Sequence, residues 1–201
     1  MTSRTMWGAA LGVLALAGCS SGGGFGGSHD SYDDRYQAMV DNHAAEGYTD
    51  PSSLPHSGGV EYVGVANMSI GTEDVMGRMR LSFRFGSSGD PVSGSIGNFR
   101  SADNTALDGK FTISDGEIYR DVDPYDTYTY FSHLTGSIML PEHSELEGPA
   151  GAVFNEYEMS WGSVNGDFLG NGGAVAGRIE GDLFNPGRGF ANLNGTFIAE
   201  R

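Results

Sequence analysis

The feature that most constrains this chain is the alternation of apolar and polar residues near its end, from Gly172 to Arg201. Val175, Gly177, Ile179, Gly181 and Leu183 fall on one face of an extended run, and Arg178, Glu180 and Asp182 on the other. Asn185-Pro186-Gly187 then supplies turn chemistry. Beyond it Ala191, Leu193, Gly195, Phe197 and Ala199 again share a face. A period of two belongs to a half-buried antiparallel strand, whereas a helix repeats every 3.6 residues. The pair reads as the last hairpin of a small barrel whose final strand closes against the first. Glycine on the inner face permits tight coiling or leaves room for a large side chain opposite.

Further strands follow from the same period. Val60, Tyr62, Gly64, Ala66, Met68 and Ile70 alternate, and so do Val75, Met79, Leu81, Phe83 and Phe85. In the second run Arg78, Arg80 and Arg84 occupy the opposite, solvent-facing side. Gly71 to Asp74 reads as the hairpin between them, and Ser87 to Pro91 as the next turn. Strands are then expected over Val92–Phe99, Phe111–Ile113, Ile118–Arg120 and Tyr128–Leu140, with Tyr128, Tyr130, Leu134, Gly136, Ile138 and Leu140 on one face. Ala152–Tyr157 is a short strand or a helical turn. Met159–Leu169, Gly173–Phe184 and Phe190–Ala199 complete the set. The expected fold is all-β: an antiparallel up-and-down β-barrel of about eight strands with a short N-terminal helix, its domain spanning residues 58–201. Eight strands leave an interior that side chains fill, or that holds one small ligand. The abundance of Phe, Tyr and Met favours a filled one.

The N-terminal part obeys different rules. Arg4, the apolar run Met6–Ala17 and the small residues before Cys19 form the charged, apolar and cleavage regions of a signal peptide, residues 1–18. The run falls short of the ~20 apolar residues that span a bilayer. Leu16-Ala17-Gly18-Cys19 resembles a bacterial lipobox, and Cys19 is the only cysteine in the chain. The resemblance implies lipidation of Cys19 by palmitate-like acyl chains, which hold a protein to a membrane through ~0.8 kcal/mol per buried CH2. Ser20 follows, where Asp would retain such a lipoprotein at the inner membrane, and is compatible with the outer membrane. A plain secretory signal with a stray cysteine is the alternative. Residues 19–28 are Gly/Ser-rich and read as a flexible tether. From Asp30 to Glu46, Tyr36, Met39, Val40 and His43 recur at helical spacing. Ser31 with Asp34 suggests the N-cap, and Gly47 the stop. Residues 29–57 are therefore expected to be a short helix and a loop packing on the barrel, the helix lying against the barrel or plugging one end, with His43 packed rather than a ligand.

Charge and motif content exclude several functions. The formal net charge is −15 with a single lysine, Lys110, and loss of Arg4 with the leader makes the chain more acidic still. That balance argues against nucleic acid. No metal-ligand spacing, nucleophile elbow or phosphate loop is present, so no cofactor and no metal are expected, and no catalytic residues are assigned. Two acidic stretches stand out as candidate partner-binding loops: one carries Asp121, Asp123, Tyr125 and Asp126, the other Glu142, His143, Glu145 and Glu147. The first lacks the glycine and the distal Glu of an EF-hand loop.

Two segments carry a resemblance. Leu183-Phe184, Asn185-Pro186-Gly187 and Leu193-Asn194-Gly195-Thr196-Phe197 resemble the closing motif of the transferrin-binding protein B-like barrel lipoproteins, with Asn185 where that family usually has Gly. LSFRFGSSGDPVSGSIGNF is similar to an earlier segment of the same family. The resemblance implies a lipid-anchored outer-membrane or cell-surface protein whose single barrel presents rim loops to a protein or solute. A periplasm-facing barrel that inhibits a protease, through residues 20–28, or binds a small ligand is the second reading. An enzyme ranks last.

Overall fold

The computed structural model describes residues 27–86, 89–120, 128–141 and 155–201. A helix, α1 (His29–His43), is followed by a 3-10 turn (Pro51–Ser53) and eight strands: β1 (Gly58–Ile70), β2 (Glu73–Phe85), β3 (Val92–Ser101), β4 (Ala106–Ile118), β5 (Tyr130–Met139), β6 (Glu156–Leu169), β7 (Ala174–Asn185) and β8 (Gly189–Glu200). Each strand pairs antiparallel with its neighbour in sequence, and β8 pairs with β1 through Val63↔Glu200 to Ile70↔Leu193, closing the barrel. Closure removes the unpaired edge that an open sheet presents to other chains.

The expected inner faces of β1, β2 and β8 are the observed ones. Tyr62, Ala66, Met68 and Ile70 of β1, Val75, Met79, Leu81, Phe83 and Phe85 of β2, and Ala191, Leu193, Phe197 and Ala199 of β8 all lie in one buried cluster. The centre is aromatic. Phe83 sits 5.5 Å from Tyr62, 4.8 Å from Tyr130 and 4.7 Å from Phe168, ring centroid to ring centroid. Such tilted and edge-on contacts add to the area that each ring buries. Glycines give these rings their space. A Cβ on Gly77 would lie 2.8 Å from the Phe99 ring, and one on Gly166 would lie 2.8 Å from the Tyr130 hydroxyl. The interior is thus filled by side chains, as the aromatic content predicted.

Four details differ from the sequence reading. The helix starts one turn earlier than Ser31 suggested: Ser28 is the N-cap, and its Oγ accepts from the Ser31 backbone N–H at 3.2 Å. It also stops at His43, before Glu46 and Gly47. Phe111–Ile113 and Ile118 belong to one strand, β4, interrupted by a bulge between Ser114 and Glu117, where Asp115 takes a left-handed φ of 53°. In β5, Gly136 is exposed beside a second irregularity, between His133 and Ser137, and Tyr128 precedes the strand. A bulge adds a residue to one strand and re-aims those beyond it, which breaks simple alternation. Last, Arg78 points outward as expected but is half-covered, whereas Arg80 and Arg84 are exposed.

What covers Arg78 is α1. Tyr32 and Met39 of the helix form a second buried cluster with Val65, Met76 and Ile198, outward residues of β1, β2 and β8. The Tyr36 hydroxyl meets Thr196 Oγ1 at 2.8 Å. The helix therefore lies on the outer wall. The segment after it does the plugging: Leu54 is buried in the barrel core, and the Arg120 guanidinium donates to the Leu54 carbonyl at 2.8 Å and to that of Pro55. Of the two positions expected for the helix, it takes the one against the wall, and the plug is the loop residue Leu54.

Candidate cleft at the capped rim

An up-and-down barrel has two rims, and this chain treats them differently. The β2–β3, β4–β5 and β6–β7 connections lie at the rim closed by Leu54, where β1 begins and β8 ends. The β1–β2, β3–β4, β5–β6 and β7–β8 connections lie at the other. The helix runs between the two. It starts where the His29 N–H donates to Asn104 Oδ1 (2.9 Å) in the β3–β4 turn, and ends beside Glu200 at the close of β8.

Where α1 ends, a cleft of about 740 Å³ opens on the outer wall. Its floor is the outward side of β6, β7 and β8: Asn165, Asp167, Arg178, Glu180 and Thr196. Its walls are the helix end (His43, Glu46), Tyr48 and Tyr128. Alternation places these polar floor residues outward because Val164, Phe168, Val175, Ile179 and Phe197 take the inward positions. Tyr48, in the connection between α1 and β1, is the most exposed large hydrophobic residue among the described residues, at 79%. Its backbone is held in place: it bridges Leu169, and the Thr49 N–H donates to the Phe168 carbonyl at 2.8 Å. The ring itself is therefore left in solvent on a fixed backbone.

His43 ties the helix end to the wall. Its Nδ1 lies 2.5 Å from Glu46 Oε2, and its Nε2 lies 3.5 Å from Glu200 Oε2. The first is a hydrogen bond. The second is an ion-pair contact too long to saturate Nε2. The hydrogen bond that His43 donates to the Glu46 carboxylate raises the His43 pKa above its ordinary value, partial burial opposes that, and Glu200 adds to the rise. Asp167 does related work at the cleft floor. Its Oδ1 accepts from the Thr129 N–H at 2.9 Å and the Thr129 hydroxyl at 2.6 Å. Tyr119 N–H donates to the Thr129 carbonyl at 2.8 Å, and the Tyr119 and Tyr128 rings stand 6.0 Å apart. Both stems of the segment 121–127 are therefore fixed beside the cleft.

Asp121, Asp123, Tyr125, Asp126, Glu142, His143, Glu145, Glu147 and Cys19 all lie outside the described residues. The strand ends that flank them are described, and they separate the two acidic stretches. Ile118 and Tyr130 end at the capped rim, and Met139 and Glu156 at the opposite one. Sequence reasoning treated the two as one kind of rim surface and missed Tyr48, Asp167 and Arg178. Tyr48 was legible only as an aromatic in a polar loop; nothing local signals that Asp167 and Arg178 share a groove.

Among the described residues no group of three or more His, Cys, Asp and Glu is arranged to hold a metal ion, and no helix is long and apolar enough to cross a membrane. No family model, curated protein or solved structure matches the chain, so the likeness to transferrin-binding protein B-like lipoproteins rests on its short motifs alone.

Proposed function

We propose that this protein is a lipid-anchored binding protein of the outer membrane or cell surface, held through Cys19, that presents its capped rim to a protein or solute partner. The observation that carries the reading is the cleft between Tyr48, Tyr128 and the end of α1. It is open, it is bordered by the stems of one acidic segment, and it lies at the rim away from the start of α1. The filled interior directs a partner to this outer surface. Glu46, Asp167 and Glu180 outnumber Arg178 there, and Asp121, Asp123 and Asp126 extend the acidic character in sequence. A basic partner is the complement, with an attraction that weakens as salt shortens the Debye length to ~8 Å at physiological ionic strength.

Capture from the cell envelope and its surroundings tests this with three forms of the protein. The native protein and a form with Glu142, Glu145 and Glu147 changed to Gln should retain a partner at low salt. A form with Tyr48→Ala and Asp121, Asp123 and Asp126 changed to Asn should lose it. Equal retention by all three places binding elsewhere. Fatty-acid labelling of the native chain and of Cys19→Ala tests the anchor separately: label persisting in the variant removes Cys19 from the account.

A further inference from the structure

We propose that the uncapped rim carries a membrane-contact patch, formed by Trp161, Phe184, Phe190 and Met139, that rests on the lipid surface to which Cys19 is tethered; this deepens the anchored-protein reading and rests on it. The outer wall is otherwise polar, with Glu61, Arg80, Arg84, Lys110 and Glu158 exposed. Against that background Phe190 is 63% exposed, Trp161 55%, Met139 44% and Phe184 39%. Two of them touch, and the others lie nearby with Glu156 opposite Met139, Glu158 opposite Phe184 and Asp182 opposite Trp161. Phe184 pairs with Phe190 across the β7–β8 hairpin, their ring centroids 4.9 Å apart. Trp161 stands opposite Asp182, one diagonal step from Phe184, and Met139 ends β5 at the same rim. A patch of this kind is uncommon on a monomer unless something meets it.

The path of the chain identifies what meets it. The described chain begins at Gly27, whose carbonyl accepts from Arg100 Nε at 3.1 Å close to the β3–β4 turn. That turn belongs to the patch's own rim. From Cys19 to Gly27 the chain reaches at most ~28 Å, taking about 3.5 Å per residue. An anchored Cys19 therefore holds this rim within about that distance of the bilayer, and contact through the patch is what turns the Leu54 cap away from it. Trp favours the headgroup boundary, where one end of the side chain is apolar and the other wet, and Phe is found on the apolar faces buried just beneath it. Tethering makes that contact intramolecular, so a small patch suffices. The carboxylates beside the patch, Glu156, Glu158 and Asp182, suit a zwitterionic surface better than an anionic one.

The chain contains two tryptophans, Trp7 in the leader and Trp161. With Trp7→Phe, Trp161 becomes the sole reporter, and Cys19 remains the sole thiol. The full chain, made by cell-free synthesis, is coupled through Cys19 to a maleimide lipid in phosphatidylcholine vesicles. The proposal expects Trp161 emission to shift to the blue and bromine-labelled lipids to quench it. The pair Phe184→Ser and Phe190→Ser should lower that quenching by about twofold or more, while Tyr48→Ser at the other rim leaves it unchanged. Trp161 that stays open to acrylamide and is untouched by brominated lipid overturns the proposal. A blue shift that grows with protein concentration and shows no lipid quenching also overturns it, by naming a second copy of the chain as the occupant. Because the maleimide supplies the anchor, missing fatty-acid label on Cys19 in cells would strike the anchored reading and not this result.

Discussion

The two ends of this barrel are finished in different ways. At one end the chain folds back on itself: Leu54 enters the core, Arg120 binds the carbonyls on either side of the following peptide bond, and the Tyr62 hydroxyl donates to the Gly172 carbonyl at 2.8 Å. At the other, the described connections are short turns, and the aromatic side chains Phe184 and Phe190 flank one of them in solvent. The difference teaches where to look for partners. A self-sealed end needs nothing further for its core, so the open cleft beside it is free to serve recognition. An end with exposed rings has apolar surface that no other described residue covers.

The largest effect should come from the interior that both ends enclose. Phe83 touches three rings and is fully buried. Phe83→Ala should cost about 3–5 kcal/mol by urea unfolding. A loss below about 1 kcal/mol would mean that the register of β2 is reversed. Next comes the cap. Leu54→Ala should cost about 2–5 kcal/mol, although it changes a residue outside any strand. Phe190→Ala at the open end should stay within about 0.5 kcal/mol. If the two cost the same, the ends are not finished differently.

The third prediction concerns pH. The His43 pKa is raised in the folded state by Glu46 and Glu200, so the protonated ring favours folding. Its contribution is complete below the ordinary histidine value of about 6.5 and is lost as pH rises through the raised folded value. Unfolding free energies measured from about pH 5 to about pH 9 should show that decline in the native protein. His43→Gln should flatten that part of the profile. A profile of the same shape in both would remove His43 from the account. The smallest effect is reserved for Arg80→Ala. Arg80 pairs with Glu61 at 3.2 Å, but both side chains are more than half exposed, so the loss should lie within about 0.5 kcal/mol. Arg78→Ala should cost more, because α1 covers that side chain.

Much of this architecture was legible because side-chain alternation and strand geometry are the same fact. Val75 to Phe85 alternates without a break, and its apolar residues are the core. The reading failed where a tertiary contact overrode a local signal. Ser28 sits at the end of a Gly/Ser run, so it read as tether although it caps α1. Leu54 stands between Pro51 and Pro55 and reads as loop, because only the assembled rim gives it a hole to fill. Asp115 interrupts β4 through a left-handed turn that no apolar pattern encodes. The cleft was the least legible part. It is assembled from α1, β6, β7 and β8 together with two connections, and its residues are ordinary surface residues until those elements meet.

The most direct test of the central claim, that the two ends face opposite ways, uses the absence of other cysteines. With Cys19 acylated, a new cysteine is the only free thiol. Tyr48→Cys at the capped rim and Phe190→Cys at the open rim are each expressed with the native leader. Opened envelopes are treated with a membrane-impermeant maleimide before and after detergent. The account predicts full labelling of Tyr48→Cys in both conditions, and labelling of Phe190→Cys only after detergent. Equal labelling of both positions in intact membranes, or protection of Tyr48→Cys in place of Phe190→Cys, would contradict it.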